Sequence, residues 1–248
     1  MTAKAFLLKD KVALVAGDSP LWTRPVAAAL AGAGADVAIA AKNSPKLAEA
    51  VEAVQKTGRK ALALPLDVAK SAQVQKAVRQ VVDQYGRLDI LVNAGDIHFF
   101  KPFMKIKSSE WGKVMDYNFK SALNFCRGAA KPMLKQKKGR IINIVSGLAE
   151  RGIVNGSAYC VSMGGVLQLT RALALEYARK GITVNAIGTG WFDQPGQPAD
   201  PALARYIPAK RYGQPEEIGS LVVYLASEVT GFTTGQFMFV DGGLMAHA

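Results

Sequence analysis

Val12-Ala-Leu-Val-Ala16, followed by Gly17-Asp18-Ser19-Pro20-Leu21-Trp22-Thr23, reads as a short buried strand, a turn and the start of a helix. Strand-like runs of the same kind recur at Asp36-Val-Ala-Ile-Ala40, Ala61-Leu-Ala-Leu-Pro65, Ile90-Leu-Val92, Ile141-Ile-Asn-Ile-Val145, Thr183-Val-Asn-Ala-Ile187 and Gln236-Phe-Met-Phe-Val240. Between them Pro25–Gly32, Leu47–Gly58, Val74–Tyr85, Trp111–Lys131, Tyr159–Lys180 and Glu216–Ser227 carry apolar residues at helical spacing. Strands alternating with helices predict an α/β fold: a Rossmann-type, doubly wound, seven-stranded parallel sheet with helices on both faces. In such a sheet a ligand lies outside the carboxyl ends of the strands, at the switch point of strand order, so the turn after Ala16 is the first place to look. Nothing divides residues 1–248 into smaller units, and the one long unpatterned stretch, 188–214, is expected to be a lid over the cleft.

The 248 residues include 24 Gly and 11 Pro, and half are hydrophobic, which excludes a disordered chain and a small stapled scaffold. Cys126 and Cys160 sit in apolar, helix-like surroundings, so free thiols in a reducing compartment are expected, the cytoplasm by default. Val26–Ala41 is interrupted by Gly32, Gly34 and Asp36, and Phe6-Leu7-Leu8 by Lys9, Asp10 and Lys11, so neither a spanning helix nor a signal peptide is expected. A net charge of +12 favours an anionic partner: nucleic acid, a phosphorylated metabolite or an acidic protein. The densest basic stretch, Lys131–Arg140, has no interleaved aromatic residue, which disfavours nucleic acid and suits a solvated helix end.

Several motifs, in order, resemble the short-chain dehydrogenase/reductase family: Asp89-Ile-Leu-Val-Asn-Ala-Gly95, Asn118-Phe-Lys-Ser-Ala, Gly139-Arg-Ile-Ile-Asn-Ile-Val-Ser146, Ser157-Ala-Tyr159, Gly181-Ile-Thr-Val-Asn-Ala186 and Gly235-Gln-Phe-Met-Phe-Val-Asp-Gly-Gly243. The resemblance implies a nicotinamide cofactor, NAD or NADP, and hydride transfer at a carbonyl. It implies catalytic roles for Asn118, Ser146 and Tyr159, with Tyr159 standing 13 residues after Ser146, and cofactor contacts from Gly17, Ser19, Asp67 and Asn93. The bland alternative is that Asn118 bonds a helix backbone group, Ser146 ends a strand and Tyr159 fills the cleft.

Departures from the family pattern gather around the same ligand. Met163 stands where the family's lysine follows the tyrosine by one helical turn. A free tyrosine titrates near 10, and bringing it to about 7 takes roughly 4 kcal/mol of differential stabilisation, for which a methionine has no charge. Leu21 and Thr23 replace two glycines of the phosphate turn, and Asp18 adds negative charge there. Ala41, followed by Lys42, replaces the ribose aspartate, Ala94 an asparagine, Asp96 a glycine and Thr189 a proline. His98 and His247 lie apart from any set of residues with metal-ligand spacing, so no metal is expected.

These losses lead to the expectation of a degenerate family member: a catalytically silent pseudoenzyme that binds no cofactor itself. It would assemble with an active NAD-dependent relative into a heterotetrameric dehydrogenase, through Trp111–Lys131, Tyr159–Lys180 and Val240–Ala248. Within the family it looks like the non-catalytic subunit of the two-subunit hydroxyacyl-CoA dehydrogenases of benzylsuccinate β-oxidation, and the +12 charge suits an anionic or acyl-CoA substrate. The alternative is an active NADP(H)-dependent carbonyl reductase, homotetrameric in the family's usual manner, in which Lys42 and Arg24 hold phosphates and another cation stands in for the lysine. A third reading is a regulator that binds a metabolite in the cleft or nucleic acid on its basic surface.

Overall fold

A computed structural model describes residues 6–194, 196 and 199–246. Seven parallel strands form one sheet in the order β3-β2-β1-β4-β5-β6-β7: β1 Val12–Ala16, β2 Asp36–Ala41, β3 Ala61–Pro65, β4 Ile90–Asn93, β5 Gly139–Ser146, β6 Ile182–Thr189 and β7 Phe237–Val240. The flanking helices are α1 Thr23–Gly32, α2 Pro45–Gln55, α3 Ser71–Tyr85, α4 Ser108–Val114, α5 Ser121–Gln136, α6 Ser157–Tyr177, α7 Pro201–Ala204 and α8 Ile218–Ala226. The Rossmann-type expectation therefore holds, with strand positions correct to within a few residues.

Alternation along each strand divides the core. Ala13 and Val15 of β1, with Val37 and Ile39 of β2 and Ile90 and Val92 of β4, pack against α1, α2 and α8. Val12, Leu14 and Ala16, with Ala38 and Leu91, face α3 and α5 on the other side. β1 pairs with β2 through Val12↔Asp36 and with β4 through Ala13↔Ile90, so strand order reverses at β1 and the crevice opens above Ala16 and Asn93.

The helix expected over Trp111–Lys131 is interrupted. α4 passes into a wide π-helical turn, Met115–Lys120, before α5 resumes the regular spiral, and Asn118 sits in that turn. α6, continuing to Lys180, is long and apolar enough to cross a membrane, the one such helix among the described residues. Its inward face packs instead with Val145 and Ala186 of the sheet. The basic stretch Lys131–Arg140 is the carboxyl end of α5 and the turn into β5, where Lys138 pairs with Glu228 at 2.7 Å.

Candidate functional site

A cavity of about 510 Å³ opens beyond the carboxyl ends of β5 and β6, between Ser146, Tyr159, Trp22, Phe100, Trp191 and Leu203. Much of one wall comes from the segment after β6, which a bridge between Phe192 and Gly213 folds back on itself. Residues 195, 197 and 198 of the stretch expected as a lid lie outside the described residues.

Tyr159, in the first turn of α6, is 1% exposed, and it lines the cavity together with Ser146. Ser146 Oγ accepts from Leu148 N at 3.2 Å. Met163 is buried in the same apolar cluster as Tyr159, Val145 and Val166. Burial pushes the Tyr159 phenol well above its ordinary range, and the charge of Asp96 pushes it further. Asn118 Oδ1 accepts from Ile97 N at 2.9 Å, and Nδ2 donates to Ile97 O at 3.1 Å and to Ser162 Oγ at 3.1 Å. Ser162 Oγ in turn donates to Tyr159 O at 2.7 Å, so Asn118 ties the loop after β4 to the tyrosine's own helical turn.

Asp96, which the sequence shows only as a lost glycine, is central to the cleft. Its Oδ1 accepts from Tyr159 Oη at 2.9 Å, while Oδ2 lies 3.2 Å from His98 Nε2 and 3.4 Å from Trp22 Nε1. The His98 and Tyr159 rings meet edge to face at 5.4 Å. Hydrogen bonding to Asp96 raises the His98 imidazole above its ordinary value, against the opposing effect of burial. Sequence spacing could not reveal this group, because Trp22 and Tyr159 are 74 and 63 residues from Asp96. The available signal was a carboxylate where backbone alone was expected. His247 lies outside the described residues.

The dinucleotide groove begins at Gly17, whose φ of 132° favours glycine and where an added Cβ would stand 2.4 Å from Gly95 N. Thr23 Oγ1 donates to Gly17 O at 2.8 Å and closes the turn. Ser19 is buried, its Oγ accepting from Leu21 N at 3.3 Å. The bulk expected to obstruct phosphate turns inward: Leu21 is 4% exposed, and Trp22, 1% exposed, packs edge to face on Phe192 at 4.8 Å. Asp18 Oδ1 is buried without a hydrogen-bond partner, close enough to Lys42 and Asp67 to feel their charge. A lone buried acceptor at this end of the groove fits a ribose hydroxyl. Asp67 Oδ1 accepts from Ala69 N at 3.0 Å and shapes the turn after β3. Asn93 does not reach the groove: its Nδ2 donates to Asn143 Oδ1 at 2.7 Å, inside the core. Arg24 pairs with Glu216 at 2.9 Å on the exposed surface.

A family profile described as enoyl-(acyl carrier protein) reductase matches residues 23–245. The 3-oxoacyl-[acyl-carrier-protein] reductase FabG of Staphylococcus epidermidis is 35% identical over 241 residues, 95% of this chain and 99% of that protein. A short-chain type dehydrogenase/reductase from Mycobacterium marinum superposes with a TM-score of 0.91 at 33% identity, covering all of both chains. An NAD+-bound xylitol dehydrogenase superposes with a TM-score of 0.89 at 28% identity, covering 95% of this chain and 99% of that one.

End-to-end likeness to reductases and dehydrogenases overturns the expectation of a silent pseudoenzyme subunit, and with it the likeness to the non-catalytic subunit of a two-subunit dehydrogenase. The expectation that this chain binds no nicotinamide falls as well, since the groove keeps its glycine crossing and the likeness extends to an NAD+-bound xylitol dehydrogenase along nearly the whole chain. The physical reason lies in the packing: Leu21 and Trp22 join the core, and the Asp96 carboxylate meets Tyr159. Matched by the family profile over most of its length and by these relatives over nearly all of it, the chain belongs to the short-chain dehydrogenase/reductase family.

Proposed function

We propose that the chain is an active NAD(P)-dependent oxidoreductase that interconverts a carbonyl compound and its alcohol in the cavity above Tyr159. The observation that carries this reading is the Tyr159 hydroxyl, bonded to Asp96 and set beside Ser146 on the wall of a cavity that adjoins the dinucleotide groove. The cofactor, when bound, supplies hydride to the carbonyl carbon or accepts it from the alcohol. Gly17, the Ser19–Leu21 backbone, Asp67 and Gly95 would hold it, with Asp18 as acceptor for a ribose hydroxyl and Lys42 as the cation for a 2′-phosphate. Tyr159 donates a proton to the carbonyl oxygen in reduction, a task that suits a phenol held protonated. Ser146 orders the same oxygen.

The aromatic and aliphatic walls, Phe100, Trp191, Phe192 and Leu203, suit a substrate with an apolar body, and the +12 charge favours one that carries an anion. In this reading 188–214 closes over the bound substrate. Subunits self-associate as a homotetramer through the α5 and α6 faces, where Leu175 is 84% exposed. Free Cys126 and Cys160 suit a cytoplasmic setting.

The test pairs calorimetric titration with NADH and NADPH with cofactor oxidation over a panel of ketones and 3-oxoacyl thioesters. Micromolar binding and turnover that falls at least about 100-fold in Tyr159→Phe are expected. Absence of both binding and turnover would sink the reading.

A further inference from the structure

We propose that Asp96 and His98 carry the reaction's proton between Tyr159 and solvent, so that this site runs on a tyrosine–aspartate–histidine relay in place of a tyrosine–lysine pair. The inference rests on the oxidoreductase reading above. Its geometry is continuous: Tyr159 Oη to Asp96 Oδ1 at 2.9 Å, then Asp96 Oδ2 to His98 Nε2 at 3.2 Å. Burial grades outward along the path, with the Asp96 side chain 6% exposed and that of His98 42% exposed. A buried group that must exchange a proton thus connects, through two side chains, to one that meets water.

A phenol buried beside a carboxylate is a poor base if it must first ionise. The relay removes that requirement. As the alcohol is oxidised, the C–H electron pair leaves as hydride to the oxidised nicotinamide, and the hydroxyl proton passes to Tyr159 Oη. The proton already on Oη moves to Asp96 Oδ1, so the tyrosine begins and ends as a neutral phenol. The Asp96 carboxyl turns about its Cβ–Cγ bond and hands the proton gained on Oδ1 to the unprotonated Nε2 of neutral His98, which releases the proton on its Nδ1 to water. Reduction runs the same transfers backwards, with one proton taken from solvent and one hydride from the reduced cofactor.

Other groups surround the path. Trp22 Nε1 also approaches Asp96 Oδ2 and holds that oxygen toward His98. Cys160, next to Tyr159 on α6, and Arg151, Asp193, Asp200 and Tyr212, which border the same cavity, are the other titratable or charged side chains facing it among the described residues. His98 titrating above its ordinary value agrees with the pairing.

The test begins with imidazole NMR, which is uncrowded because the chain has only His98 and His247. With His247→Gln assigning the signals, the His98 midpoint is expected above its ordinary value and lower in Asp96→Asn than in the wild type. In kinetics, Asp96→Asn should lower kcat by about 100-fold with KM little changed. His98→Gln, at a half-exposed position where folding is not at stake, should remove one limb of the pH–rate profile. An active wild-type protein whose His98 midpoint does not move in Asp96→Asn, or whose pH profile survives His98→Gln, overturns the relay alone. An inactive, cofactor-free protein overturns the oxidoreductase reading and the relay's catalytic use together, even if the midpoint shifts.

Discussion

Asn118 holds Ile97 by both of its backbone groups, accepting from Ile97 N at 2.9 Å and donating to Ile97 O at 3.1 Å. Ile97 stands between Asp96 and His98, so this two-point clamp fixes the loop that carries both. Asn118→Ala leaves part-buried backbone groups unpaired and is expected to cost about 1–3 kcal/mol. Urea unfolding measures it, and an unchanged midpoint would contradict the clamp. Turnover should fall along with stability, because the loop's aim at Tyr159 is lost.

Met163→Lys restores the cation that relatives place one helical turn after the tyrosine. Its ammonium would enter an apolar cluster where Met163 is 1% exposed, so a stability loss of about 1–3 kcal/mol is expected on thermal melting. Burial and then Asp96 hold the Tyr159 phenol up, and a cation opposes both. With the cation present the tyrosine can ionise, so alcohol oxidation by the Met163→Lys protein should no longer need the relay and should survive a further His98→Gln change. Loss of turnover in that double variant would show that the ammonium does not replace the relay.

Gly17→Ala combines backbone strain at φ 132° with a Cβ 2.4 Å from Gly95 N. Strain alone costs about 1–3 kcal/mol, and the two loops must also separate. Loss of NADH binding by calorimetry, in a protein that still shows its far-ultraviolet dichroism, is the expected outcome.

Glu228 joins the starts of two central strands, reaching Lys11 before β1 and Lys138 before β5 at 2.7 Å each. Burial works to raise its carboxyl, but the two lysines prevail and hold it at about 2. A depressed carboxylate stabilises the fold above its unfolded value of 4.5, and that stability is lost as pH falls toward about 2. With the side chain 47% exposed, solvent screening reduces the contribution to about 1 kcal/mol at neutral pH. Unfolding of Glu228→Gln across this interval should show its deficit shrinking as pH falls, and a deficit independent of pH would refute the assignment.

The strands were legible because buried parallel strands are short apolar runs, and each of the seven lies where such a run occurs. The break at Met115–Lys120 was not, since one widened turn leaves the apolar spacing of Trp111–Lys131 almost unchanged. In the site, Tyr159 and Ser146 were readable through the family resemblance of their motifs, and the structure brings both to one cavity. The sequence does not show that the Asn93 side chain bonds Asn143, because an asparagine at a strand end reads the same whether it faces a groove or a neighbouring strand. Asp96 was readable only as a loss. Its partners come from the turn before α1 and from α6, and sequence distance hides such convergence.

The strand order also constrains how the chain comes to be folded. β1 lies between β2 and β4, so one of its two edges waits until Ile90–Asn93 has been synthesised, and β7 closes the sheet only after Phe237–Val240. Pairings this distant in sequence make assembly slow and leave strand edges open meanwhile. Val12–Ala16, apolar at every position, is the segment most in need of shielding on the ribosome, and slowed translation between β2 and β4 should raise the share of chain that aggregates.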